Sequence, residues 1–166
     1  LNFNRIEDNE DSLLILSRIE LVSFSHSLFS VYEEDKRLTF LFETNKAKIY
    51  ADMDAIKLGV ILDSLLSNAV KFTPDGGSIR LSLFYREETG LVDICVSDTG
   101  SGIPPRDIPY IFQRFFQSPH SGNKEGTGIG LYLVKTYTEL HGGHITGVTS
   151  EEGKGTSVGL NIPVIA

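Results

Sequence analysis

Asn68 and Lys71 stand three residues apart, a spacing that puts both on one side of a helix. Asn68 offers an amide oxygen that a hard cation such as Mg²⁺ accepts as a ligand. Lys71 brings a point charge suited to a phosphate. The same pair also reads as a solvated polar face whose lysine complements the helix dipole. Asp98 follows the strand-like run from Val92 to Val96 and opens Asp98-Thr-Gly-Ser-Gly-Ile103. An ionised carboxylate only accepts hydrogen bonds, so it suits an exocyclic amine such as that of adenine. Gly100 and Gly102 would let a flat base approach the backbone, although a plain strand-ending turn uses the same residues. Gly126-Thr127-Gly128-Ile129-Gly130-Leu131 opens a predicted helix. Its bare amides and the helix N-terminus form a natural phosphate cradle. No Gly-Lys-Ser/Thr follows and no strand leads directly in, so it is neither a P-loop nor a dinucleotide-binding fingerprint. Gly153-Lys-Gly-Thr156 is the last cluster, and a hairpin turn accounts for it equally well.

The elements that must position these clusters follow from periodicity. Ile56, Val60, Ile61, Leu65, Ala69 and Phe72 recur every three or four residues, predicting a helix over 52–72. Asp52 or Asp54 would cap its start, and Pro74-Asp-Gly-Gly77 would end it. Strands are predicted over 19–23, 38–43, 48–51, 78–86, 91–97, 144–150 and 156–163, with the 38–43 and 48–51 pair around a turn at Asn45. Further helical segments fall at 24–34, 107–116 and 128–141. Residues 117–127 are poor in apolar side chains and read as a long mobile loop, of a length that in a compact domain is either functional or disordered. Helices mixed with antiparallel hairpins suggest an α+β layered fold.

Composition narrows the class. The 166 residues suit one compact domain, with 1–17 as an entry segment or the tail of a preceding helical hairpin and the domain proper at 18–166. A net charge of −7 argues against a nucleic-acid binder. The single cysteine, Cys95, allows neither an internal disulfide nor a metal cluster, which fits a reducing compartment. No run approaches the ~18–20 apolar residues of a membrane span. The chain lacks an initiator Met and reads as a piece of something longer.

Taken in order, the clusters resemble the boxes of the ATP-binding domain of sensor histidine kinases, within the superfamily that also holds gyrase, the ninety-kilodalton heat-shock chaperone and mismatch-repair ATPases. Leu66-Ser-Asn68-Ala-Val-Lys71-Phe72-Thr resembles the asparagine box, and Asp98-x-Gly100-x-Gly102-Ile103 the first glycine box. Ile111-Phe112-Gln-Arg114-Phe115-Phe116 resembles the phenylalanine box, and 126–131 the second glycine box. Gly153-Lys-Gly-Thr156 matches a weaker third one. The resemblance covers about residues 18–163. It implies a two-layer α/β sandwich, a mixed five-stranded sheet backed by three helices, with 117–127 as a lid over the triphosphate. It implies ATP and Mg²⁺ as cofactors, with Asn68 on the metal, Lys71 on the phosphates, Phe72 beside the adenine and Asp98 on its amino group. Gly126, Thr127, Gly128, Ile129, Gly130 and Leu131 would line the phosphates, and Thr156 would sit near the base. The γ-phosphoryl group would pass to a histidine on a separate dimerisation domain, and from there to a response-regulator receiver. The isolated domain would be a cytoplasmic monomer that touches neither nucleic acid nor membrane, from a parent that an inner membrane could anchor.

Two positions depart from the family pattern. Ser64 stands where the asparagine box usually carries a second Asn, and Gln117 where an Arg often follows the phenylalanine box. Gyrase-type relatives place a glutamate at the helical position of Ser64 to activate water, and a hydroxyl cannot serve as that base. None of His26, His120, His141 and His144 has the family's acceptor context; His141 reads as a helix stop and His26 as a partly buried helix residue. Two other readings stand beside this one. One is a degenerate, non-catalytic ATP-binding or docking module. The other is a homodimeric aspartic protease, because Asp98-Thr-Gly-Ser101 is also that class's tetrad; its chemistry needs two carboxylates, and only one tetrad is present.

Overall fold

The structure is a computed structural model that describes residues 13–116 and 130–164. Residues 1–12 of the leading segment, the whole predicted 117–127 loop with Gln117, His120, Gly126 and Thr127, then Gly128 and Ile129, and residues 165–166 lie outside the described residues. The elements are β1 Leu16–Glu20, α1 Leu21–Tyr32, β2 Thr39–Thr44, β3 Tyr50–Asp54, α2 Ala55–Phe72, β4 Ser78–Arg86, β5 Leu91–Asp98, a 3-10 turn at Ile108–Tyr110, α3 Gly130–Leu140, β6 His144–Glu151 and β7 Gly155–Pro163.

Five strands form one mixed sheet in the order β2-β4-β5-β7-β6. Only β2 and β4 run parallel; the other neighbours are antiparallel. That parallel pair needs a long crossover, and β3 with α2 supplies it. The three helices share the core with this sheet: Phe29, Leu62, Leu66, Val134, Leu81, Ile94 and Leu160 belong to one buried cluster. The expected two-layer α+β sandwich is therefore present. It also carries a small antiparallel sheet of β1 and β3, and among the described residues no helix is long and apolar enough to cross a membrane.

Helix α2 carries Asn68 and Lys71. Its buried face is Leu58, Ile61, Leu62, Leu65, Leu66 and Ala69, recurring at helical spacing; each fully buried Leu or Ile contributes about 1.5–3 kcal/mol. The predicted stripe began too early, at Ile56, which is 79% exposed at the helix's outer end. Asp54 caps the start by accepting from the Lys57 amide at 3.0 Å, whereas Asp52 lies in β3 and pairs with Arg18 at 2.9 Å. At the far end Thr73 has extended dihedrals, as expected of a residue before proline.

Three sequence expectations are corrected. The predicted strand at 19–23 is a strand ending at Glu20, followed at once by α1, because the Glu20 carboxylate accepts from the amides of Val22 at 2.9 Å and Ser23 at 3.0 Å and so caps a helix there. The segments around Asn45 do not pair with each other: β2 joins the large sheet and β3 the small one. Asn45 instead prolongs the β2–β4 ladder with its side chain, donating to the Tyr85 carbonyl at 2.9 Å and accepting from the Tyr85 amide at 2.7 Å. His26 is exposed rather than partly buried, with its ring edge-on to Phe42 at 5.0 Å.

Candidate functional site

The site begins where α2 ends. Arg37, far away in sequence, holds that end by donating to the carbonyls of Val70 at 3.3 Å and Thr73 at 3.2 Å. The Val70 carbonyl also accepts from the Thr73 amide at 3.4 Å. Salt bridges to Asp35 at 3.2 Å and Asp75 at 3.0 Å fix the guanidinium. The Thr73 hydroxyl donates to Ala69 at 2.6 Å. The turn bearing Asn68, Lys71 and Phe72 is thus held from three sides. Asn68, Lys71 and Phe72 are all half-buried, and the Lys71 ammonium lies 5.1 Å from the Phe72 ring centre.

Asp98 ends β5 in the middle of the sheet, opposite Thr156 of β7. Its Oδ1 accepts from the Gly100 amide at 2.8 Å and the Thr156 amide at 3.3 Å. Burial pushes its carboxyl above the ordinary carboxylate range, and those two amides offset the effect only in part. A carboxyl desolvated in this way is the kind of group that functional sites use.

The following turn is fastened to both neighbours. Ser101 donates its amide to the Phe72 carbonyl at 3.1 Å, and its own carbonyl accepts from Gly153 at 2.8 Å. Ile103 donates to the Ser150 hydroxyl at 2.7 Å, and Ser150 lies 2.9 Å from the Thr156 hydroxyl. The glycines have a local structural cause as well. A Cβ on Gly100 would lie 2.6 Å from the Phe72 carbonyl oxygen and 2.8 Å from Asp98 Oδ1. One on Gly102, at φ +77°, would lie 2.3 Å from the Glu151 carbonyl oxygen. Both admit neighbouring protein atoms that a side chain would displace. Gly155, at φ +135°, likewise admits the Asp98 carbonyl, which a Cβ there would meet at 2.0 Å.

The described part of the second glycine box is Gly130, the first residue of α3, and Leu131, which packs on the core. The Cβ position of Gly130 is 3.4 Å from the Ser64 hydroxyl, one helical turn before Asn68 on α2. Helix N-termini carry unpaired amides and positive potential, so this end of α3 faces the same corner as Asn68. In the phenylalanine box Ile111 is buried and Phe112 packs against the core. The Arg114 guanidinium lies 5.5 Å from the Tyr132 ring of α3 and 5.1 Å from that of Phe115. Phe115 is 62% exposed and adopts φ 65°, a conformation uncommon for a bulky residue.

The structure therefore gathers Asn68, Lys71, Phe72, Asp98, Gly100, Gly102, Ile103, Gly130, Leu131 and Thr156 around the ends of α2, β5, α3 and β7. Sequence reasoning missed Arg37, Ser101, Ser150 and Gly155. Of these Ser101 and Gly155 had a signal, each lying inside a cluster already noted. For a divalent cation the described residues hold no cluster of three or more His, Cys, Asp or Glu. Among them the Asn68 amide is the hard-oxygen donor at this corner. Such a sparse donor set fits Mg²⁺, which keeps much of its water and substrate oxygen in its shell.

The chain is similar to known proteins in sequence and in fold. Sensor histidine kinase WalK of Bacillus subtilis is 32% identical over 160 residues, covering 94% of this chain and 26% of that protein. Adaptive-response sensory kinase SasA of Synechococcus sp. is 39% identical over 131 residues, covering 79% of this chain and 34% of that one. The chain thus spans about a quarter to a third of the length of these relatives. Among solved structures, the catalytic domain of histidine kinase ThkA superposes with a TM-score of 0.77 at 24% identity, over 90% of this chain and 95% of that one. Full-length ShkA in complex with AMPPNP gives a TM-score of 0.78 at 25% identity, over 93% of this chain and 32% of that one. Residues 53–166 match the family described as histidine kinase-, DNA gyrase B- and HSP90-like ATPase, and the chain belongs to that family.

Proposed function

We propose that this domain binds Mg·ATP and donates the γ-phosphoryl group to a histidine on a separate dimerisation domain, as the catalytic part of a sensor histidine kinase. The observation that carries the reading is the Ser101–Phe72 hydrogen bond at 3.1 Å. It sets the Asp98 turn against the helix end that bears Asn68 and Lys71, so that adenine and phosphate chemistry share one corner.

In this reading Asp98 accepts from the adenine amino group. Its Oδ1 is already engaged by Gly100 and Thr156, which leaves Oδ2 for the ligand. The Phe72 ring flanks the base, Thr156 borders it, and Gly100, Gly102 and Ile103 shape the turn beneath. Lys71 contacts the phosphates, and the amides at the start of α3, from Gly130 and Leu131, face them. Gly126, Thr127, Gly128 and Ile129 would continue that cradle. Asn68 would hold Mg²⁺, which when bound would neutralise phosphate charge.

Transfer requires little covalent chemistry from the protein beyond alignment and charge stabilisation. The bond from the γ-phosphorus to its bridging oxygen breaks, a phosphorus–nitrogen bond forms to an incoming imidazole, and ADP leaves. Ser64, at the Gly130 contact, is no carboxylate base for water. Transfer to a protein is thereby favoured over hydrolysis. We assign the domain to the cytoplasmic side of its parent, as a monomer when isolated, with a response-regulator receiver downstream.

The test supplies labelled ATP, this chain and the parent's histidine-bearing hairpin. Label on the hairpin that depends on this chain, with little hydrolysis by the chain alone, is the expected result. Fast, steady hydrolysis without the hairpin contradicts it, and no nucleotide binding at millimolar ATP points to a docking module.

A further inference from the structure

We infer that His141 is a positioning residue for the phosphate end of the site, acting as a fixed-tautomer clip between α3 and α2. The inference rests on the nucleotide reading above. His141 follows the last turn of α3, and its half-buried ring bridges two backbones. Nδ1 lies 2.7 Å from the Tyr137 carbonyl, which can only accept. Nε2 lies 3.0 Å from the Asp54 amide, which can only donate. Those partners leave one arrangement, a neutral imidazole with its proton on Nδ1. The histidine therefore does more than stop a helix. It joins the C-terminal end of α3 to the N-terminal end of α2.

The two helices run antiparallel, and each carries site residues at the end remote from the clip. On α2 those are Asn68 and Lys71. On α3 it is Gly130, whose Cβ position lies 3.4 Å from the Ser64 hydroxyl. From Asp54 to Ser64 is about 15 Å of helix at ~1.5 Å per residue. From Gly130 to Leu140 the 11-residue α3 covers nearly the same length. The helices are therefore in register at both ends, and α3 is short enough to move as a rod. Sliding at the His141 end displaces Gly130 relative to Ser64 and Asn68 by a similar amount. The surroundings hold the clip in place. The Lys57 ammonium lies 5.1 Å from the Tyr137 ring centre and 3.6 Å from Asp54 Oδ2. The Asp54 carboxylate also accepts the Lys57 amide at 3.0 Å.

The full chain, His141→Leu and His141→Gln are titrated with a fluorescent ATP analogue in Mg²⁺. Leucine keeps apolar bulk and removes both hydrogen bonds. The glutamine carbonyl oxygen reaches about where Nε2 sits and can accept from Asp54. His141→Leu is expected to bind roughly tenfold more weakly, with His141→Gln recovering most of that loss. Backbone amide resonances of Gly130, Leu131 and Ser64, recorded without nucleotide, should move in His141→Leu and stay near wild type in His141→Gln. Equal binding by His141→Leu and wild type overturns the inference, as does a loss in His141→Gln as large as in His141→Leu. Should the wild-type chain bind no nucleotide, the site reading fails, and the resonances decide the clip: displacement in His141→Leu supports it, and unchanged Gly130 and Ser64 signals overturn it.

Discussion

The Ser101 amide donates to the Phe72 carbonyl at 3.1 Å, joining residues 29 positions apart into one wall. It can do so only because Gly100 has no side chain between them. A backbone hydrogen bond thereby ties the C-terminal end of α2 to the turn that follows the Asp98 carboxylate of β5.

Gly100→Ala places a methyl group where the Phe72 carbonyl oxygen is 2.6 Å away. Both partners are backbone or tightly held, so relief requires moving the turn. We expect a loss of ~1–3 kcal/mol in stability together with weaker nucleotide binding. Denaturant unfolding and ligand titration on the same variant measure the two effects.

Asp98 gives the site a pH dependence. Burial raises its carboxyl above the ordinary range, so the folded chain holds that proton more readily than the unfolded one. Asp98 accordingly subtracts stability as pH rises through the window between its unfolded and its raised folded values. Binding runs the other way: as pH falls through the raised value, the free Oδ2 is the oxygen that protonates, and affinity for adenine drops. Asp98→Asn turns an NH₂ toward the adenine amine, donor against donor. It should cost about 1–3 kcal/mol of binding and abolish this part of the pH profile. Calorimetric titration across pH reads both.

Asp54 shows the opposite sign. Burial pushes its carboxyl up, but the amides of Ile15 and Lys57 and the Lys57 ammonium outweigh that and hold it below the ordinary range. Its contribution is present above the unfolded carboxylate value and is lost as pH falls through the lowered folded one. Asp54→Ala should cost ~1–2 kcal/mol as a lost helix cap, a deficit seen at neutral pH and shrinking in acid. Urea midpoints at several pH values test it.

What the sequence disclosed is what local pattern can carry. Asn68, Asp98 and Thr156 lie on elements whose ends were legible from periodicity and turns, and strand register then brought Asp98 opposite Thr156. The β1–β3 sheet was not legible, because short apolar runs around Asn45 fit a hairpin as well as two separate sheets. Nor was the exposed position of Ile56, since periodicity gives a face but not where the core stops. Arg37, and the second role of His141 beyond a helix stop, escaped for another reason. Their partners Val70, Thr73 and Asp54 are remote in the chain.

Arg37 provides a further test. Its fork reaches two carbonyls at the end of α2 and two carboxylates at once, a geometry an ammonium group cannot copy. Arg37→Lys should therefore behave like Arg37→Ala, lowering the thermal midpoint and weakening nucleotide binding by loosening the Asn68–Phe72 turn. Recovery of both properties in the lysine variant would show that charge alone suffices.

The most direct test of a single nucleotide corner is titration of the wild-type chain, Asn68→Ala and Asp98→Asn with a fluorescent ATP analogue, each with Mg²⁺ and with a chelator. The wild-type chain should bind saturably and more tightly with Mg²⁺. Asn68→Ala should lose the Mg²⁺ enhancement yet keep the metal-independent binding, and Asp98→Asn should bind more weakly both with Mg²⁺ and with the chelator. Full Mg²⁺ enhancement in Asn68→Ala, or wild-type affinity in Asp98→Asn, would contradict the account.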